Sequence, residues 1–128
     1  MYAIHGLFDN LVSVIDGATN KLIDNKKFPT HLSQIAINNN TNVLYMLGDK
    51  KNLLVIDGSN FHINANIPLG ISAEEMAINP RTNMVYVTDF ESDKVYVIDG
   101  TAYKIIKNIT VADGPTDVDI NAIPMLFT

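Results

Sequence analysis

The sequence contains no cysteine, and this absence excludes several kinds of chemistry at once. Disulfide bonds, thiolate nucleophiles and cysteine-ligated metals all require that residue. Basic residues are also few: 9 lysines and arginines stand against 14 acidic residues, for a net charge of −5. Because nucleic acids are bound by clustered lysine and arginine, we expect no nucleic-acid partner.

Long hydrophobic runs and extended helical patterns are missing as well. No apolar run approaches the roughly 18 residues that a membrane span requires, so we expect no membrane span. The N-terminal stretch "MYAIHGLFDN" lacks the basic segment and long apolar core of a signal peptide. No stretch of helical length keeps a 3.6-residue apolar period. With 128 residues, 47% of them apolar, we expect one domain spanning residues 1–128.

The sequence does have an internal repeat. The tetrapeptide "VIDG" occurs at Val14–Gly17, Val55–Gly58 and Val97–Gly100, at spacings of 41 and 42 residues. A second marker, "AIN" at Ala36–Asn38, recurs at the same spacings as "AIN" and then "DIN". Two independent markers with one period indicate a repeat architecture. The repeats cover approximately residues 1–32, 33–73 and 74–115.

Each repeat has the pattern of four short strands. Stretches such as "VLYML" and "KVYVID" are β-branched and aromatic, and loops such as "NNNTN" and "NPRTN" separate them. We expect each Asp-Gly to supply a residue tolerant of positive φ. Four antiparallel strands in about 42 residues are typical of a β-propeller blade. The predicted fold class is therefore all-β, a β-propeller built from three four-stranded repeats.

The predicted strands take four positions in each repeat. The first strands are Ser33–Asn38, Glu74–Asn79 and Thr116–Asn121, and the second strands are Tyr2–His5, Val43–Leu47 and Met84–Thr88. The third strands are Leu11–Asp16, Leu53–Asp57 and Lys94–Asp99, and the fourth are Lys21–Phe28, His62–Leu69 and Lys104–Val111.

Over almost its whole length the chain resembles the YVTN-type, forty-residue-repeat β-propeller family. That family's pattern is a "VYVTN" strand, an "SNTVSVID" strand, an outer "TIPVG" strand and then "GPxGVAVNP"; the counterparts here are "VYVTDF", "SDKVYVID", "NITVADGP" and "TDVDIN". Members include surface-layer and extracellular proteins, mostly without known catalysis. The resemblance therefore implies six or seven blades and an extracellular or cell-surface location. Related propellers include a magnesium-dependent lyase, so fold does not fix activity.

Three repeats are too few to close a propeller, which carries about four to eight blades. One expectation is a homodimer about a two-fold axis, in which Thr116–Asn121 of each chain completes the first sheet of the other and gives six blades. The other is that the chain is part of a longer propeller. Either arrangement covers sheet faces and edges that would otherwise be exposed.

A functional surface is expected where the loops before the first strands and between the second and third strands meet. These loops are rich in acidic residues: Asp9, Asp49, Glu74, Glu75, Asp89, Glu91, Asp93, Asp113 and Asp117. The candidate binding residues on this face are His5, His31, Glu74, Glu75, Asp113 and Asp117.

Two hypotheses follow for this face. The first is a non-catalytic binding or structural module that contacts a protein or a cell-surface polymer and needs no cofactor. The alternative is a metal-assisted lyase or hydrolase in a central channel, with carboxylates holding Mg²⁺ or Ca²⁺ and His31 acting as a base beside Glu74 or Glu75.

Overall fold

A computed structural model describes residues 2–4, 10–48, 52–69, 73–115 and 117–120. These residues contain eleven β-strands and no helix. The strands are β1 Tyr2–Ile4, β2 Leu11–Asp16, β3 Lys21–Lys27, β4 Leu32–Asn38, β5 Val43–Gly48, β6 Asn52–Asp57, β7 Ile63–Pro68, β8 Ala73–Asn79, β9 Met84–Asp89, β10 Lys94–Asp99 and β11 Lys104–Thr110. Their ends lie within one residue of the eleven matching predictions, because each strand is bounded by turn residues that the sequence shows.

The strands form three antiparallel sheets in chain order. The first sheet is β1-β2-β3, the second sheet is β4-β5-β6-β7, and the third sheet is β8-β9-β10-β11. Every strand pairs with the strand that follows it in the same sheet, and neighbouring sheets contact through β1 and β4 and through β4 and β8. Two repeats therefore have the four strands that the sequence predicts, and the first has three among the described residues.

The second sheet is packed on both faces. One face, with Leu44 and Met46, forms a core with residues of the first sheet, including Val12. The opposite face, with Tyr45 and Leu53, forms a second core against the third sheet. Side chains alternate between the faces of a strand, so a continuous apolar run such as "VLYML" suits a sheet that is covered on both sides.

The three "VIDG" turns share one geometry, and it differs from the predicted one. The aspartate side chain accepts a hydrogen bond from the backbone N–H two residues later, at 2.8 Å in each of Asp16, Asp57 and Asp99. The positive φ angles lie four residues after the aspartate: 56° at Asn20, 62° at Phe61 and 58° at Tyr103. The sequence places the residue tolerant of positive φ at Asp-Gly, whereas the residue that takes a positive φ lies three positions after the glycine.

Close approach explains the turn glycine in two of the repeats. A Cβ atom at Gly58 would lie 2.5 Å from the carbonyl oxygen of Asn42, and one at Gly100 would lie 2.6 Å from that of Asn83. Each of those carbonyls accepts a 2.8 Å hydrogen bond from the glycine N–H. A side chain at either position would separate this pair, so the backbone contact requires glycine.

The predicted strand Thr116–Asn121 is not formed in the part of the chain that the structure describes. Residues 117–120 have no strand pairing, and Thr116 and Asn121 lie outside the described residues. The expected partner edge is β1, in the first sheet, which lies on the far side of the second sheet from the third. A strand needs a neighbouring edge to satisfy its backbone groups, and within one chain this edge is distant.

Candidate ligand-binding pocket on the third sheet

An open pocket lies beside the loop between β9 and β10. Its volume is about 460 Å³, and it is lined by Phe90, Glu91, Asp93, Asp113 and Gly114. Loops between second and third strands and loops preceding the next first strand meet here, as the sequence predicts for a functional face. We call these five residues the third-sheet pocket.

Two hydrogen bonds to Asp93 hold the two loops against each other. The Asp93 carboxylate accepts a 2.8 Å hydrogen bond from the Gly114 N–H, and the Asp93 carbonyl accepts one of 2.9 Å from Val111. Gly114 has a φ of +59°, and a Cβ atom there would lie 2.7 Å from the Phe90 ring. Glycine is thus needed at position 114 for two reasons: it tolerates the left-handed backbone, and it has no side chain that would collide with the Phe90 ring.

The base of the β9–β10 loop is held by a buried carboxylate. Asp89 is fully buried, and its two oxygens accept hydrogen bonds from the Tyr96 hydroxyl at 2.8 Å and from the Ser92 N–H at 3.2 Å. Burial, followed by the hydrogen bond to Asp89, raises the pKa of Tyr96. The hydroxyl therefore stays protonated and continues to donate at neutral pH. These hydrogen bonds hold the backbone at Asp89, the residue immediately before Phe90, and so limit where Phe90 can lie.

The third-sheet pocket combines an exposed aromatic ring with negative charge. Phe90 is 44% exposed although it is a large hydrophobic residue. Glu91, Asp93 and Asp113 supply three carboxylates, and none of the five lining residues is basic. The face of an aromatic ring attracts cations, and carboxylates reinforce that preference. This surface is suited to a cationic group carried on an apolar stem.

The predicted site residues differ in their surroundings. Asp113 lines the third-sheet pocket, and Asp117 and Glu74 are near enough to Glu75 to affect its ionisation. His31 precedes β4 and is partly buried, whereas His5 lies outside the described residues.

Glu75 lies where the second and third sheets meet. Its carboxylate accepts a 3.1 Å hydrogen bond from the Gln34 side chain of the second sheet, and its N–H donates to the Thr88 hydroxyl at 3.2 Å. Burial raises the pKa of the Glu75 carboxyl, and the negative charges of Asp117 and Glu74 raise it further. Across the described residues, no group of three or more histidine, aspartate or glutamate side chains has an arrangement that would hold a metal ion.

Glu91 and Asp93 are visible in the sequence as loop acids, whereas Phe90 and Gly114 were not predicted as site residues. The signal for Phe90 was available, because "DFESD" takes the place of "GDKKN" in the preceding repeat. A large apolar residue in an otherwise polar loop is a departure that deserves inspection. The contact between Phe90 and Gly114 could not be read from the sequence, since 24 positions separate the two residues.

Comparisons with known proteins identify the fold. No protein-family model matches this chain, and no curated protein matches it. Among solved structures, apo AztD from Citrobacter koseri is similar with a TM-score of 0.78 and 19% identity, over 93% of this chain and 34% of that chain. Sqt1 from Saccharomyces cerevisiae has a TM-score of 0.70 and 11% identity, over 88% of this chain and 36% of that chain. Dihydro-heme d1 dehydrogenase NirN in complex with DHE has a TM-score of 0.72 and 16% identity, over 90% of this chain and 25% of that chain.

These similar structures are β-propeller proteins. The chain is therefore an all-β protein of antiparallel sheets with a propeller-like fold. It spans about a third or less of the length of each structure. At these identities the likeness establishes the fold alone, and the three include a dehydrogenase, so it leaves activity open. No helix among the described residues is long and apolar enough to cross a membrane.

Proposed function

We propose that this chain is a non-catalytic β-propeller module of the YVTN type that binds a protein or a cell-surface polymer at the third-sheet pocket. The observation that carries the proposal is the fixed position of Phe90, which stays 44% exposed against Gly114 and beside three carboxylates. The resemblance to surface-layer proteins adds an extracellular or cell-surface location to the proposal. The bound group is the side chain of a lysine or an arginine, which offers both a cation and an apolar stem.

The size of the expected contacts favours a macromolecular ligand over a small amine. A cation over an exposed aromatic ring contributes about 0.5–1 kcal/mol. An exposed ion pair adds about 0–1 kcal/mol. Together these fall short of the roughly 4.1 kcal/mol that even a millimolar complex requires. The pocket therefore acts as one contact in a larger interface, or is used repeatedly along a polymer.

Binding of poly-L-lysine to the 128-residue chain, followed by NMR, tests this proposal. Phe90→Ala and Asp113→Asn are each expected to weaken binding, because one removes the ring and the other removes a carboxylate of the pocket. Ile106→Ala is the matched apolar control, since Ile106 is 48% exposed on the outer strand of the same sheet. Asp16→Asn is the matched charge control at a turn of the first sheet.

The controls separate a site from general attraction between opposite charges. The proposal expects both pocket variants to weaken binding measurably while both controls keep it. It is wrong if Asp16→Asn weakens binding as much as Asp113→Asn, because net charge alone would then explain the attraction. Equal binding by Phe90→Ala and the unaltered chain would also contradict it.

A metal-assisted lyase or hydrolase is the second candidate function. The observation that bears on it is the pKa of the Glu75 carboxyl, which burial and then the negative charges of Asp117 and Glu74 raise, although no group of three such side chains in the described part of the chain has an arrangement that would hold a metal ion. A divalent cation would relieve that repulsion and could supply Lewis-acid chemistry. Thermal melting in millimolar Mg²⁺, Ca²⁺ and Zn²⁺ distinguishes this candidate from the binding module, because only a metal site raises the melting temperature.

A further inference from the structure

The third sheet has a partly exposed face whose equivalent in the second sheet is buried. Tyr86 in β9 takes the repeat position of Tyr45 in β5, and Val95 in β10 takes that of Leu53 in β6. Tyr45 and Leu53 are fully buried against the third sheet. Tyr86 and Val95 are partly exposed. The same residue types therefore have a neighbouring sheet in one repeat and solvent access in the next.

Tyr45 shows how this tyrosine position is used when a neighbouring sheet is present. Its hydroxyl donates a 3.3 Å hydrogen bond to the Asn83 side chain of the third sheet. A Cβ atom at Gly100 would lie 2.5 Å from the same hydroxyl oxygen. Gly100 is therefore the position in the third sheet that receives the tyrosine of the preceding sheet.

The first sheet carries the same receiving position without an occupant nearby. Gly17 is the repeat equivalent of Gly100, and a Cβ atom at Gly17 would meet nothing within 4 Å. Beside it, Ile15 is partly exposed, whereas its equivalent in the second sheet, Ile56, is fully buried. The chain thus has a tyrosine position available on its third sheet and a matching glycine position available on its first.

We propose that the third sheet of one chain packs against the first sheet of a second copy, with Tyr86 placed over Gly17 of that copy. The contact repeats the observed packing of the second sheet on the third, in which Tyr45 lies over Gly100. A second copy fits this face because it carries the receiving glycine in the same turn. Two such contacts, related by a two-fold axis, close the pair into a ring. This inference does not depend on the third-sheet pocket.

The same packing assigns a partner to residues 117–120. Val118 is the repeat equivalent of Ile35, and Ile35 pairs with Met46. Met46 is in turn the repeat equivalent of Ala3, because each of them pairs with the residue immediately before a "VIDG" motif. Val118 of one chain is therefore placed opposite Ala3 of the second copy. This register completes the first sheet with the strand that the repeat predicts there.

The mass of the chain in solution tests the packing. Light scattering at tens of micromolar is expected to give twice the 14.1 kDa of one chain. Gly17→Leu fills the receiving position and is expected to weaken association by about tenfold or more. Since that glycine has open space around it in the single chain, the variant is expected to keep its β-sheet circular dichroism. Ala18→Leu, one residue further in the same exposed turn, is the matched control and is expected to associate normally.

A second variant gives a complementation test. Tyr86→Ala alone is expected to lose association, because its third sheet lacks the ring. A mixture of Gly17→Leu and Tyr86→Ala chains retains one intact contact, between the third sheet of the former and the first sheet of the latter. The mixture is therefore expected to form mixed pairs that neither variant forms alone.

Engineered disulfides test the register, since the chain has no cysteine of its own. Ala3→Cys with Val118→Cys is expected to give a cross-linked pair under oxidising conditions. Ala3→Cys with Asp117→Cys is one residue out of register and is expected to cross-link far less. A single-chain mass for the unaltered protein would overturn the proposal, as would association that Gly17→Leu and Tyr86→Ala leave intact.

Discussion

Tyr45 lies at the junction of the second and third sheets, where its hydroxyl oxygen comes within 2.5 Å of the place that a Cβ atom at Gly100 would take. The same hydroxyl donates to the Asn83 side chain, which also accepts a 2.9 Å hydrogen bond from Asn38. Asn38 is fully buried. The side-chain oxygen of Asn83 thus accepts from both Tyr45 and Asn38, and it links these two buried side chains of the second sheet to the third sheet.

Gly100→Ala is expected to destabilise the chain by about 1–3 kcal/mol, because the new methyl group meets the Tyr45 hydroxyl and the Asn83 carbonyl. Gly17→Ala is the matched substitution in open space and is expected to change stability by less than about 0.5 kcal/mol. Both are best measured by urea unfolding in a Tyr86→Ala chain, where the proposed association is already removed. Equal losses for the two glycines would contradict the close contact at Gly100.

Tyr45 is expected to make stability fall at alkaline pH. Burial, with smaller effects of Tyr103 and Asp99, raises the pKa of Tyr45 from 10.0 to about 12. The unfolded chain therefore releases this proton first, and the stabilising contribution is present below pH 10 and lost as pH rises towards 12. Tyr45→Phe removes this dependence.

The hydroxyl also contributes a hydrogen bond, so Tyr45→Phe is expected to cost about 1 kcal/mol near pH 8. Urea unfolding of both chains at several pH values up to 12 measures the difference. That difference is expected to shrink as pH rises, and a constant difference would show that the hydroxyl is not protected from ionisation by folding.

Glu75→Gln is expected to stabilise the chain at pH 7. The pKa of Glu75 is raised above its reference value of 4.5 by burial, Asp117 and Glu74. A raised carboxyl pKa favours folding below the unfolded pKa, and that contribution is lost as pH rises through the folded pKa. At neutral pH the native chain therefore holds a disfavoured carboxylate, which glutamine replaces while still accepting from Gln34.

The gain from Glu75→Gln is expected to be below about 1 kcal/mol, since the site is near the surface. Thermal melting at pH 7 and at pH 3.5, about one unit below the reference pKa, checks it, and the gain should disappear at the lower pH. Glu91→Gln removes one exposed charge from the same face and is the control. A stabilisation of similar size in the control would assign the effect to net charge.

Divalent cations are expected to leave the melting temperature unchanged if the chain is the proposed binding module. A ligand that binds only the native state at a hundred times its dissociation constant adds about 2.7 kcal/mol, which a melting curve detects. Millimolar Mg²⁺, Ca²⁺ and Zn²⁺ are the probes. A rise in melting temperature that Glu75→Gln and Asp117→Asn abolish would instead support the metal-assisted enzyme.

Local patterns predicted the strands well and the turn conformations less well. Strand ends follow from β-branched and aromatic stretches between polar turns, and the stretch that includes Glu74 and Glu75 forms β8 with no helix. The left-handed turn residue could not be predicted from its type, because asparagine, phenylalanine and tyrosine take that position at Asn20, Phe61 and Tyr103. There, the four-residue geometry of the turn outweighs the intrinsic preference for glycine.

The candidate site was predicted only in part. The acidic character of the loops is visible in the sequence, and it led to Asp113 and Asp117. The position of the Phe90 ring depends on Gly114 and on the Asp93 carboxylate that holds Gly114. Residues far apart in sequence create this contact, and no local preference encodes it.

The sequence by itself determined the repeat and the antiparallel order of the eleven strands in the described residues, because strand formation and turn chemistry are encoded locally, whereas its twelfth predicted strand, Thr116–Asn121, needs a partner edge that local patterns do not supply. The tertiary structure alone decided what each repeated residue does. Gly17 and Gly100 are the same letter in the same motif, yet one faces open space and the other meets Tyr45. The reason is physical: burial and contact depend on which sheet lies next to a residue, and a repeat gives identical residues different neighbours.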